Sequence, residues 1–292
     1  MPQISPQAPS PDLGRAVTAA GAGSPHAPGN VANACRLCAG PTFACFALGI
    51  MGRYRVEYLR CDLCQSLQTE RPYWLGEAYA HNLSHLDTGA AQRNCRNFAA
   101  CFGVARLFGL RNVLDVGGGD GLLCRLLRDY GINCFVKDKY AAPTYAQGFS
   151  EPDFAKPDLV IASELLEHLA DPGAELDEIF GQRPAVLLVT TAIYSGEGPE
   201  WWYLAPETGQ HVFFYSRRAL ELIATRYGYE LLLSGGFILF ISKKRFSAVS
   251  AFLAWLLLRG RVLGLIKAFL ALSPAPGAWT DHLSQKARSN AG

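Results

Sequence analysis

The sequence predicts an α/β fold: a mostly parallel sheet flanked by helices, with a small cysteine-bearing module ahead of it. Three observations carry that prediction. Short apolar runs alternate with helical patterns from residue 112 onward, a glycine-rich turn joins the first run to the first helix, and two Cys-x2-Cys pairs precede both. Apolar runs separated by helix-length segments are the mark of parallel strands joined by crossover helices. At 292 residues, half of them apolar, the chain can bury a sizeable core.

Taken in order, residues 1–30 are rich in Pro, Ala, Gly and Ser without an apolar period and read as a disordered lead-in. They lack the charged start and continuous apolar run of an export signal, so a cytoplasmic location is expected. Thiols stay reduced there, and the nine cysteines are read as ligands or core thiols before disulfides. Residues 31–72 form the cysteine module, with the β-rich run YRVEYLRC between the pairs.

Residues 73–245 carry the main domain. RPYWLGEAYAHNLSHL and AAQRNCRNFAACFGVARLFG have helical spacing, with Gly109 as a stop. Strand NVLDV, helix GLLCRLLRDYG, strands NCFVKD and DLVIAS, a helix running from LLEHLADP into AELDEIFG, and strand AVLLVTT follow. A long irregular segment, AIYSGEGPEWWYLAPETGQHVFFYS, has the length of a functional lid. Helix RRALELIATRYG and strands YELLLS and FILFISKK close the domain.

Residues 246–292 read as an apolar and basic helical tail. Its longest uncharged part, Phe246 to Leu258, is shorter than the roughly 20 residues that a membrane span needs. A basic amphipathic helix pair over 246–272 either docks on the domain or makes peripheral contact with a membrane surface.

The glycine turn VLDVGGGDGLL follows the pattern Asp115-x-Gly117-x-Gly119-x-Gly121, with Gly118 inside it. Leu122 stands where a dinucleotide turn beginning at Gly117 requires glycine or alanine, which weakens the dinucleotide reading. Together with Asp138, the acid in CFVKDKY at the end of the second strand, the turn resembles the class I S-adenosylmethionine-dependent methyltransferases. The resemblance covers about residues 90–243 and implies a Rossmann-like fold. It also implies that the backbone around Gly117 to Gly119 lies against the methionine part of the cofactor, and that Asp138 accepts hydrogen bonds from both ribose hydroxyls. A vicinal diol offers two donors and a carboxylate two acceptors, so that pairing is chemically sound. One departure stands out. Only about 20 residues separate Asp138 from Asp158, too few for a helix and a full third strand, so that strand is expected to be short or missing. Phe149 and Phe154 in the intervening loop are the candidate adenine contacts.

Each Cys-x2-Cys pair turns two sulfurs toward one point. Cys35, Cys38, Cys61 and Cys64 are therefore expected to hold a structural zinc ion with no open coordination position. Cys45 is a bystander, and Cys95, Cys101, Cys124 and Cys134 fall on apolar faces where buried thiols are ordinary. A four-cysteine module ahead of such a domain is similar to the sugar-modifying methyltransferases of bacterial secondary-metabolite and surface-polysaccharide pathways.

The stretch SELLEHL after the fourth-strand position supplies Glu164, Glu167 and His168. If it is helical, these share one face, while Leu165, Leu166 and Leu169 take the other. Three roles compete: bracing the loop by hydrogen bonds, removing a proton from an acceptor hydroxyl with His168 as the better base, or holding a divalent metal. Glu-x-x-Glu-His here resembles the small-RNA 3′-terminal 2′-O-methyltransferases and the ubiquinone-pathway O-methyltransferases, in which these positions hold Mg2+. In the RNA enzymes a further histidine comes from the loop after strand five, a place comparable to that of His211, which could equally pack against Trp201, Trp202 and Tyr203.

The expected activity is transfer of a methyl group to an oxygen, less readily a carbon, of a sugar-like or other small-molecule acceptor. A net charge of +2 disfavours nucleic acid as partner, so a small-RNA 2′-O-methyltransferase is the alternative enzyme. A non-catalytic cofactor-binding scaffold is the alternative from another class.

Overall fold

The computed structural model describes residues 34–80 and 88–290; the lead-in expected over 1–30 lies outside the described residues. Strands β1 (Thr42–Ile50) and β2 (Tyr54–Cys61) form an antiparallel hairpin whose three-residue loop places Met51 and Gly52 at φ 54° and 67°. Left-handed residues in the loop match the right-handed twist of the strands. Strand β3 (Leu67–Thr69) pairs with β2, and a short helix α1 (Leu75–Ala78) follows.

Helix α2 (Ala90–Phe108) ends at Gly109, φ 63°, where Leu110 N–H returns to the Ala105 carbonyl at 2.8 Å. The stop foreseen in the sequence is thus a left-handed glycine cap. The central elements come next: β4 (Asn112–Val116), α3 (Leu122–Asp129), β5 (Asn133–Lys137), β6 (Leu159–Ser163), α4 (Pro172–Gly181) and β7 (Val186–Thr190). The remaining elements are β8 (Phe213–Phe214), α5 (Arg217–Tyr227), β9 (Tyr229–Ser234), β10 (Phe237–Ser242), α6 (Ala248–Leu257), α7 (Gly260–Leu272) and α8 (Pro276–Ser289).

The main sheet has the order β5-β4-β6-β7-β10-β9, with β4 to β7 parallel and β10 antiparallel to both neighbours. Strands β6 and β7 are buried on both faces, which is why they read as continuous apolar runs rather than alternating ones. Among the described residues no strand lies between β5 and β6, in keeping with the short spacing noted above. The chain returns instead as a loop whose Phe149 carbonyl accepts from Val136 N–H at 2.9 Å.

The structure corrects the continuous helix expected after Ser163. Glu164 adopts φ 50°, one 3-10 turn covers Leu166–His168, and α4 begins only at Pro172. Proline disfavours helical geometry in the residue before it, and Asp171, at φ −124°, instead caps α4 by accepting from Ala174 N–H.

The cysteine-bearing hairpin is not a separate body. Its sheet runs β1-β2-β3-β8, and β8 comes from the long segment after β7, so the described residues from 34 onward fall in one compact unit. Helices α6 and α7 pack on α2, and α8 packs on α3. Among the described residues no single helix is long and apolar enough to cross a membrane; α6 and α7 together meet the test but are bent by 74°.

Asp281 of α8 is buried, accepting from Arg128 through both oxygens at 2.7 Å and from Arg125 at 2.7 Å. Asp281→Asn leaves two guanidinium groups facing a neutral amide. We expect a loss of about 3 kcal/mol, read as a lower thermal midpoint, with α8 amides losing hydrogen-exchange protection first.

Candidate functional site

A cleft of about 960 Å³ opens beside the carboxyl ends of β4, β5 and β6, the edge where open α/β sheets place their ligands. The glycine turn and Asp138 line one side of it; Glu164, His168, Tyr203 and His211 line the other. Gly117 has φ 71°, and a Cβ there would lie 2.7 Å from Leu165 Cδ1, so only glycine lets the turn pass beneath the 163–169 segment. Gly119, at φ 55°, has no heavy atom within 4 Å of where its Cβ would be. Gly118 and Gly121 complete the turn, and Gly121 precedes α3 as its N-cap.

Asp138 is held from three directions. Its Oδ2 accepts from Gly119 N–H at 2.9 Å, and its Oδ1 accepts from Tyr140 N–H at 2.7 Å and Ala141 N–H at 2.8 Å. Asp115, at the end of β4, is 1% exposed, and neither of its side-chain oxygens has a hydrogen-bond partner. Burial, and then the charge of Asp138, pushes its carboxyl up to about 7. A buried carboxylate with both oxygens unpaired is costly, and a donor-bearing or cationic ligand at this position would offset that cost. These acceptors therefore fit the amine and hydroxyls of S-adenosylmethionine.

Phe149 and Phe154 do not line the cleft. Phe149 is buried beneath the Arg128 guanidinium, 3.6 Å from its ring centroid, and Phe154 packs edge-on against Phe135. Tyr140 and Tyr145 line the cleft instead. Tyr140 stacks on Tyr79 with centroids 4.4 Å apart. The aromatic residue two places after Asp138 was the available signal.

On the opposite side, Glu164 N–H donates to the Thr190 carbonyl at 2.9 Å, which holds the residue at its left-handed angle. Strain of this kind persists where the surroundings over-determine it. Ser163 is fixed by Asn97 of α2 and by Thr190. Glu167 is fully buried: its Oε1 accepts from the Tyr203 hydroxyl at 2.5 Å, and its Oε2 has no partner. Tyr203 also lies 3.5 Å from Glu164 Oε2, so one phenol bridges the two carboxylates.

His211 Nδ1 lies 2.7 Å from the Tyr203 carbonyl, a contact in which only Nδ1–H can donate, leaving Nε2 as a lone-pair donor. His168 Nδ1 sits 3.0 Å from the Tyr79 hydroxyl and 3.1 Å from the Gln210 carbonyl. Ligand atoms of Glu167, His168 and His211 all lie within 4.8 Å of one another, a set that could hold a metal ion. Glu164 falls outside that set. Burial, and then the neighbouring Glu167 charge, pushes Glu164 up to about 6. Burial and then the charge of His211 hold His168 down to about 3. In this arrangement His168 is neutral at pH 7 and a weak base, which makes Glu164 the better proton acceptor of the two.

The four sulfurs of Cys35, Cys38, Cys61 and Cys64 also lie within 4.8 Å of one another, with Cys35 and Cys64 3.6 Å apart and Cys38 and Cys61 3.5 Å apart. A zinc tetrahedron with bonds of about 2.3 Å has edges of about 3.8 Å, so the donor set fits that ion. Burial pushes the Cys61 thiol up to about 11, a cost that a bound dication would reverse.

Arg36, which the sequence reading passed over, ties this module to the cleft. Its Nη1 donates to the Ala170 carbonyl at 2.9 Å, and its Nη2 donates to the carbonyls of Val212 at 2.6 Å and Thr69 at 3.1 Å. Ala170 lies two residues past His168, and Val212 follows His211 and donates its N–H to the Glu167 carbonyl at 2.8 Å. Burial lowers the guanidinium to about 10, and it stays charged. The position between two cysteines was its only sequence signal.

A family model described as a methyltransferase domain matches residues 79–234. Human N-acetylserotonin methyltransferase, solved in complex with S-adenosylmethionine, is 18% identical over 50% of this chain and 51% of its own, with a TM-score of 0.38. This chain thus spans about half the length of that enzyme. The Synechocystis magnesium protoporphyrin IX methyltransferase with bound S-adenosylhomocysteine is 14% identical over 59% of this chain and 98% of its own, TM-score 0.38. The methyltransferase domain of a bacterial Hen1 is 16% identical over 51% of this chain and 98% of its own, TM-score 0.37. A search of curated proteins found no match.

Proposed function

Since the chain belongs to the methyltransferase domain family, we propose that it is an S-adenosylmethionine-dependent enzyme that methylates an oxygen of a small, sugar-like acceptor in the cleft beside Glu164 and Tyr203. The observation that carries the reading is Asp115, a fully buried carboxylate with two unpaired oxygens at the glycine turn, facing the same cleft as Asp138. When bound, S-adenosylmethionine supplies a methyl group already activated on a sulfonium. Asp115, Asp138 and the backbone of Gly117 to Gly119 would hold it.

The residues across the cleft then have two tasks. Tyr203 and the 163–169 turn position the acceptor, and Glu164, ionised above about pH 6, takes the proton that a hydroxyl loses. Orientation supplies most of the rate, because the methyl group needs little further activation. Cys35, Cys38, Cys61 and Cys64 hold zinc as a structural ion, since four protein ligands leave no position for chemistry.

A second reading rests on Glu167, His168 and His211, whose ligand atoms lie within 4.8 Å of one another, and on the unpaired Oε2 of Glu167: a divalent cation held there would orient the acceptor oxygen. Incubation with methyl-labelled cofactor and fractionated extracts, with and without EDTA, tests both. Labelling of a small polar acceptor that survives brief chelation supports the first reading. Labelling lost with chelator and restored by Mg2+ while the zinc content stays constant supports the second. Labelling of RNA alone would overturn the acceptor class.

Asp115 also sets a pH dependence. Its folded-state value of about 7 lies above the usual 3.8, so at pH 6 the carboxyl is mostly protonated and must lose that proton to face a cationic ligand. Cofactor affinity measured by calorimetry should therefore fall below pH 7, approaching about tenfold per pH unit, and level off above it. Asp115→Asn is expected to bind more weakly at pH 8 and to show a flat profile across the window.

A further inference from the structure

The outward faces of α6 and α7 are apolar where a soluble helix is normally polar, and Trp279 extends that patch onto α8. Val249 is 68% exposed, Phe252 60%, Leu265 71%, Phe269 65%, Leu272 90% and Trp279 65%. The inward faces are satisfied, with Ala254, Leu258, Leu263 and Leu270 in the main core. These helices are thus docked on the domain on one side and apolar on the other, a pattern that marks an interaction surface.

Charge says what the surface meets. Residues 243–290 hold eight of the chain's 27 basic residues and one of its 25 acidic ones, so the rest of the chain is net negative. The single acid, Asp281, is already paired with Arg125 and Arg128. The free charge is therefore entirely positive: Lys243, Lys244 and Arg245 before α6, Arg259 and Arg261 at the bend, and Lys267 on α7 among them. A second copy of this surface would bring like charges together, which argues against self-association. Helices of 10 and 13 residues bent by 74° are each too short to span a bilayer but suited to lie in its interface.

We propose that α6 and α7 form a docking surface for an anionic lipid bilayer, with Phe252, Leu265 and Phe269 entering the headgroup boundary and Arg259, Arg261 and Lys267 meeting lipid phosphates. This reading is independent of the acceptor's identity. It is also separate from the cleft, since none of these six residues lines it.

The test is co-sedimentation of the full chain with vesicles of phosphatidylcholine alone, or with about a third phosphatidylglycerol. Binding is expected only to the anionic vesicles and should fall steeply with salt. The double variant Arg261→Glu and Lys267→Glu should weaken it by tenfold or more. The triple variant Phe252→Ser, Leu265→Ser and Phe269→Ser should abolish it while leaving the thermal midpoint and cofactor affinity unchanged, which separates loss of the surface from loss of the fold. No binding to anionic vesicles, equal binding to both kinds, or a wild-type dimer that the triple variant converts to monomer would each overturn the proposal. Binding to an acidic protein with no vesicle binding would overturn it too.

Discussion

Under the proposed zinc assignment, Cys61→Ser is expected to release the ion and to cost most of the stability of the cysteine module. Cys61 ends β2 and is fully buried, and its carbonyl and Sγ accept from Gln65 and Cys64 N–H in the turn that carries the second cysteine pair. Structural zinc sites of four thiolates contribute on the order of 10 kcal/mol, comparable to the whole stability of a domain. The damage should not stay local. Arg36 sits between Cys35 and Cys38 and holds the Ala170 and Val212 carbonyls, so disorder in the module loosens the segments that carry His168 and His211. Elemental analysis should therefore find one zinc per wild-type chain and none in the variant, with methyl transfer lost alongside. Arg36→Ala separates the two effects. It should keep zinc and cofactor binding, lose about 3–5 kcal/mol through orphaned carbonyls, and lower transfer rate more than cofactor affinity. Arg36→Lys should restore little, because one ammonium cannot replace a planar fork that reaches three carbonyls.

Asp138→Ala carries the largest expected effect on binding. The carboxylate accepts from Tyr140 and Ala141 N–H in the loop after β5 and from Gly119 N–H in the glycine turn, tying the two together, and under the proposed function it meets the ribose hydroxyls as well. Hydrogen bonds to a charged group contribute about 1.5–3 kcal/mol each, so losing the ribose pair together with loop order should weaken cofactor affinity at least 100-fold. Asp138→Asn, which keeps the shape and one good acceptor, should fall between wild type and alanine. Thermal stability should change far less than in the Cys61 variant, because the loop lies at the surface of the sheet rather than in its core.

What could be read from the sequence followed local patterns. Strands β4, β6, β7 and β10 are apolar runs whose burial on both faces leaves no ambiguity, and α2, α3 and α5 carry helical spacing ending at Gly109, Tyr130 and Gly228. Asp115, Gly117, Gly119 and Asp138 fall around one cleft because the turn and the strand ends that bear them are adjacent in the sheet. What stayed hidden depends on contacts between distant segments. Glu164 leaves helical geometry because Thr190, on the neighbouring strand, captures its N–H, and no pattern within SELLEHL encodes that partner. Strand β8 is two residues long and acquires its identity from β3, far away in sequence. Tyr203 and Arg36 look like an ordinary lid aromatic and an ordinary surface cation until folding places them against Glu167 and the Val212 carbonyl. The tail reads as either docked or membrane-facing, and its two faces explain the ambiguity: one is buried against α2 and α3, the other is exposed and apolar.

Calorimetric titration of S-adenosylmethionine into the wild-type chain and the Asp115→Asn variant tests the cofactor cleft most directly. Saturable one-to-one binding by the wild type at pH 8, weakening below pH 7, with a weaker and pH-independent isotherm for the variant, is the result expected. Wild-type binding that is absent, or that is unchanged by both the substitution and pH, would contradict the assignment of Asp115 and the glycine turn to the cofactor.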